Sequence, residues 1–179
     1  EDISAAAGSD YTALSSQPVV FAGTAGGSEN VTISLSDDNI VEDNETFRLR
    51  LVSTSNSSVD ISDNATVTIS NDDNATITLD NVTVSEGAGV ATMTLTLSNP
   101  VSSTVTVDLS TLDIGYPADN GTDFSEVLGK TLTIPALATT LQDNITILQD
   151  TVVEDNETFG VSLNNASHPS VSLGGSVYV

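Results

Sequence analysis

The sequence predicts an all-β protein made of tandem antiparallel β-sandwich domains, and four observations carry that expectation. Apolar residues alternate with threonine over short runs, helical periodicity is absent, and turn-forming residues separate the runs. The chain also repeats itself: Val41-Glu42-Asp43-Asn44-Glu45-Thr46-Phe47-Arg48 returns as Val153-Glu154-Asp155-Asn156-Glu157-Thr158-Phe159-Gly160, with Asp38 or Asp150 nine positions before the phenylalanine.

Taken in order, the first copy shows strand alternation at Val31-Ile33-Leu35, Phe47-Leu49-Leu51 and Val67-Ile69. Ile77 and Leu79 are out of phase with Val82 and Val84, which predicts a bulge or a crossover between them. The clearest strand follows, with Ala91, Met93, Leu95 and Leu97 on one face and Thr92, Thr94 and Thr96 on the other. The same period recurs at Val105-Val107-Leu109, Leu132-Ile134, Ile145-Ile147, Phe159-Val161-Leu163 and Val177-Val179.

The copies match beyond the acidic stretch. Gly8-Ser9-Asp10-Tyr11 corresponds to Gly121-Thr122-Asp123-Phe124; Asp10 and Asp123 are 113 positions apart, Phe47 and Phe159 112. A repeat of that length is one sandwich domain. Residues 1–73 read as the C-terminal part of a first repeat, and residues 74–179 as a second repeat lacking its last residues. Ser70-Asn71-Asp72-Asp73-Asn74 joins them with no Gly/Ser or proline linker, so the repeats are expected to be closely coupled in a longer array.

A formal net charge of -22, with Arg48, Arg50 and Lys130 the only Lys or Arg, excludes a nucleic-acid binder and disfavours anionic membrane surfaces. Self-repulsion of that size calls for bound divalent cations or high external salt. There is no cysteine, so no disulfide frames the fold. No apolar run is long enough for a membrane span, and any secretion signal is expected outside this segment.

Each copy concentrates carboxylates in a turn just ahead of a strand. A lone acidic turn is ordinarily a solvated loop; two copies, with matching Asp10 and Asp123, favour hard oxygen ligands for calcium, which suits loose loop geometry better than magnesium. No histidine or cysteine cluster offers a zinc site.

Ten of the fourteen asparagines head an Asn-X-Ser/Thr sequon: Asn30, Asn44, Asn56, Asn64, Asn74, Asn81, Asn120, Asn144, Asn156 and Asn165. That excess points to N-linked glycans on an extracellular or cell-surface protein, although threonine-rich strands inflate the count. Asn44 and Asn156 lie inside the acidic turns, where a glycan would crowd an ion.

The Gly-Ser/Thr-Asp-Tyr/Phe element, the Asp-X3-Glu-Asp-Asn-Glu-Thr-Phe element and the closing Ile69-Ser70-Asn71-Asp72-Asp73 together resemble the Calx-β domain family over nearly all of the chain. The resemblance implies seven-stranded immunoglobulin-like sandwiches, several of which bind calcium at one end, next to the following domain. Carried over by position, it implies calcium ligands at Asp10, Asp38, Glu42, Glu45, Asp72 and Asp73 in the first copy. In the second it implies Glu86, Asp123, Asp150, Glu154 and Glu157.

The lone His168, in Asn-Ala-Ser-His-Pro-Ser, reads as a turn residue, and no catalytic triad can be built from it. A glycosidase would need an aromatic-lined cleft, whereas the chain has three tyrosines, four phenylalanines and no tryptophan. No enzyme is expected. The function expected is a structural or adhesive extracellular repeat array, stiffened by calcium, N-glycosylated, and open to filament formation through unclosed head-to-tail contacts. Its partners would be neighbouring repeats and other copies of itself. The alternative is a calcium-sensing regulatory domain pair of a larger membrane protein.

Overall fold

The structure, a computed structural model, describes residues 1–112, 114 and 118–179. The polypeptide divides into two compact units, one formed by Glu1–Asp38 and Asp43–Asn71 and the other by Asn39–Glu42 and Asp72–Val179.

The first unit holds an antiparallel hairpin of β1 (Glu45–Arg50) and β2 (Asn64–Ile69), in which Phe47 stands opposite Val67. Its core is small: Ala5, Tyr11 and Phe47 are buried, with Ile33, Val67 and Ile69 packed against them. The predicted strand at Val31-Ile33-Leu35 does not form; Leu35 makes only an isolated bridge with Tyr11. Alternation alone makes no strand without a partner along its length. Leu51 lies beyond the end of β1 and is exposed.

The second unit is a sandwich of two four-stranded sheets. One has the order β10 (Val177–Tyr178), β8 (Gly160–Asn164), β5 (Val105–Leu112), β6 (Lys130–Ile134). The other has the order β7 (Thr140–Thr146), β4 (Val90–Leu97), β3 (Ala75–Leu79), β9 (Val171–Leu173). Every pairing is antiparallel except β3 with β9, where Ile77 lies beside Leu173 in a parallel ladder.

Side-chain alternation sets the layers. Ala91, Met93, Leu95 and Leu97 of β4 turn inward, as do Val105, Val107 and Leu109 of β5, and their threonine neighbours face outward. Each of these buried side chains other than Ala91 contributes roughly 1.5–3 kcal/mol through loss of apolar surface to water. The phase change after Leu79 is a crossover: β3 belongs to one sheet, whereas Val82 donates its N–H to the carbonyl of Tyr178 in the other. The strand β9 was not expected from the sequence, being three residues flanked by Pro169-Ser170 and Gly174-Gly175.

Glycine replaces the first copy's Arg48 at position 160 for a steric reason. A Cβ there would stand 2.9 Å from Cγ2 of Ile114 and 3.3 Å from Cβ of Leu112, so β8 approaches its neighbours too closely for a side chain.

Candidate metal centre

The same local device presents an aspartate in both units. Gly8, with φ of 100°, and Gly121, with φ of 92°, turn the chain back in a left-handed conformation that favours glycine. Gly8 N–H donates to the Tyr11 carbonyl and Gly121 N–H to the Phe124 carbonyl, at 2.9 Å each. Within these turns one carboxylate oxygen of Asp10 accepts the N–H of Ala6, and one of Asp123 accepts the N–H of Asp119. Each aspartate is thereby held in place by a backbone N–H within its own turn.

The residue after each aspartate anchors the turn. Tyr11 stacks on Phe47 and Phe124 stacks on Phe159, with ring centroids 4.1 Å apart in both pairs and planes 13° and 14° apart. The ring of the Gly-X-Asp-aromatic turn is thus clamped to the ring that ends the acidic stretch. Asp123 and Glu157, distant in sequence, are brought together by the rings beside them.

In the second unit this packing assembles five carboxylates from separate segments. Glu86, Asp150 and Glu154 offer oxygens within 4.8 Å of one another, and so do Asp123, Glu154 and Glu157. Glu154 belongs to both groups. Glu86, at the start of the short 3-10 turn Glu86–Ala88, accepts the Asp150 N–H at 3.0 Å, which draws the two loops together. The group opens on a cleft of about 510 Å³ whose walls include Asn81, Val82, Glu86, Asp123, Glu154 and Phe159.

Nothing cationic offsets this charge. Lys130, the only Lys or Arg in the sequence of this unit, is held 2.7 Å from both oxygens of Asp143. Loss of water raises the Glu154 carboxyl above its ordinary range, and the charges of Asp150, Asp123 and Glu86 raise it further. Glu157 is raised likewise, by loss of water first and then by the charge of Asp123 and a hydrogen bond with it. Both groups therefore hold their protons more readily in the folded chain than when unfolded. In the absence of a cation, their ionisation works against folding as pH rises through the raised values.

In the first unit, Asp10 and Glu45 offer oxygens within 4.8 Å of each other, both half-buried. Glu42 lies on the Asn39–Glu42 segment that belongs to the second unit, beside the buried Val41. Among the described residues, Asp38, Asp72 and Asp73 join no group of three or more metal-binding side chains.

All ten sequon asparagines are exposed, but several amides already have partners. Asn165 Nδ2 donates to Asp108 at 2.9 Å, Asn120 Nδ2 donates to Glu126 at 3.2 Å, and Asn44 Oδ1 accepts the N–H of Asn71. His168 occupies a turn, as its Pro-Ser context suggests, yet it is buried, and its Nδ1 accepts the N–H of Ser170.

The donor set fits a hard divalent cation. It consists of oxygens only, lies on loops at one end of a sandwich, and carries unbalanced charge. The only histidine is engaged in its own turn and no cysteine is present, so nothing directs the group toward zinc.

Comparison with known proteins agrees with this architecture. The sequence profile of the Calx-beta domain matches residues 1–74 and again residues 71–174. The apo form of the Calx CBD1 domain superposes with a TM-score of 0.51 at 25% identity, covering 59% of this chain and 96% of that one. CBD12 from CALX1.2 gives 0.50 at 24% identity, covering 57% of this chain and 42% of that one. The Calx CBD2 domain, at 14% identity and 0.50, shares the fold, covering 59% of this chain and 83% of that one. No curated protein sequence matches this chain.

Proposed function

This chain belongs to the Calx-beta domain family, and from that premise we propose that it is a calcium-binding tandem module whose second unit holds calcium on Glu86, Asp123, Asp150, Glu154 and Glu157. The observation that carries this reading is the pair of carboxylate groups that share Glu154, drawn from three segments with no lysine or arginine among them. Bound calcium would supply charge neutralisation and cross-link loops that otherwise repel one another. It would stabilise the folded state by mass action, taking the part that disulfides play in other small extracellular domains.

The test is a calcium titration of the full chain followed by backbone amide NMR. Saturable shifts confined to residues 86–88, 119–124 and 150–158 are expected, with much weaker response to magnesium. Shifts spread evenly over the surface, or equal shifts with magnesium, would reduce the group to a solvated acidic patch. Lowering the pH toward the raised values of Glu154 and Glu157 protonates ligands, so apparent calcium affinity falls there, above the range in which ordinary carboxylates titrate.

At a finer level, we read the module as a structural spacer or adhesive element of a glycosylated extracellular array. Exposure of all ten sequon asparagines supports this, as does the direct passage from one repeat into the next. Unclosed head-to-tail contacts between arrays would give filaments. Expression in a glycosylating, secreting host should add mass that a glycosidase removes; unmodified secreted chain would count against this level of the reading. A calcium-sensing pair in a larger membrane protein is the second reading. It is favoured by the raised Glu154 and Glu157, since a repulsive ion-free site changes most when filled.

A further inference from the structure

The two copies of the acidic stretch place one residue oppositely. Val41 is completely buried, whereas Val153, its counterpart 112 positions on, is 98% exposed. Val41 belongs to the core of the second unit. Its N–H donates to the Pro100 carbonyl and its carbonyl accepts the N–H of Ser102, both at 2.9 Å, which makes a parallel bridge to Val101. Val101 is itself buried, and its carbonyl accepts the N–H of Leu137 at 2.8 Å. A four-residue segment thus completes a sandwich edge otherwise formed by residues 72–179.

We propose that Val153 is a second docking peg, seating on the edge of a further Calx-β repeat that corresponds to residues 100–102, as Val41 seats on this one. The surrounding sequences are close, Ile40-Val41-Glu42 against Val152-Val153-Glu154, and Val152 is exposed as well. An exposed pair of β-branched residues outside any strand offers the same kind of apolar side chain that the first copy buries. The partner is identified by the internal copy itself: an edge with an accepting carbonyl before an apolar residue and a donating N–H after it. A second copy of this chain is the weaker candidate, because its own edge is filled by Val41.

The test prolongs the 179-residue chain with a second copy of residues 68–179. Val179 takes the place of Val67 in the repeat, since Phe159 exchanges both backbone hydrogen bonds with Val179 as Phe47 pairs with Val67. Hydrogen exchange at the Val153 amide should slow by about tenfold or more in the prolonged chain relative to the original. Val153→Ser, which removes the apolar peg without adding charge beside Glu154, should lower the melting temperature of the prolonged chain and leave that of the original unchanged. An equal exchange rate in both chains would overturn the proposal, as would a Val153→Ser effect already present in the original. Dimerisation of the original chain that Val153→Ser abolishes would assign the peg to a second copy and also overturn it.

Discussion

Phe159→Ala is expected to destabilise the second unit by about 3–5 kcal/mol, the usual cost of emptying a buried phenylalanine site. Phe159 is 4% exposed and stacks face to face on Phe124, so truncation removes both apolar burial and the ring contact. The effect should reach the carboxylates, because Asp123 directly precedes Phe124 and Glu157 lies two residues before Phe159. Urea unfolding in chelator measures the loss of stability, and a calcium titration of the still-folded variant measures the loss of affinity. A cost below about 1 kcal/mol would mean the ring pair is not the support assigned to it.

Glu154→Gln should separate the two consequences of the acidic group. Without calcium the variant is expected to be at least as stable as the parent, because a carboxylate crowded by Asp150, Asp123 and Glu86 has been neutralised. With calcium it should be the less stable of the two. Both carboxylate groups lose their shared member, and since outer-shell changes alone commonly cost tenfold or more, calcium affinity should fall at least about tenfold. Melting temperatures of both proteins in calcium and in chelator give the comparison. A variant less stable than the parent in chelator would show that Glu154 serves the fold rather than an ion.

Much of the second unit was legible because its strands bury one face against a partner sheet. The alternation from Ala91 to Leu97 appears unchanged as the inward face of β4. The same alternation at Val31-Ile33-Leu35 meets only Tyr11 as a bridge partner and forms no strand, because pattern records a preference for burial and not the presence of a neighbour. β9 is not legible in the sequence, since three residues are too few for a period to register and its parallel pairing with β3 joins residues almost a hundred positions apart. Val41 and Val153 show the limit most directly. Their flanking letters nearly coincide and their burial is opposite, so the difference lies wholly in the tertiary partner.

The candidate site divides in the same way. The acidic turns and the two aspartates could be read from the repeat, but Glu86 entered only through the family resemblance. Its closeness to Asp150 depends on a hydrogen bond spanning 64 residues, which no local pattern encodes. The ring stacks that couple Asp10 to Phe47 and Asp123 to Phe159 were present in the sequence as aligned aromatics. Alignment places the rings at equivalent positions, but their pairing across the fold is a tertiary contact that no local pattern encodes.

The most direct measurement of the central claim is thermal unfolding of the full chain in calcium, in magnesium and in chelator at matched ionic strength. A melting temperature that rises in calcium, scarcely moves in magnesium and is lowest in chelator is the result expected of a carboxylate site that calcium fills and neutralises. Equal melting temperatures in all three would contradict it and leave the five carboxylates as a solvated end of the sandwich.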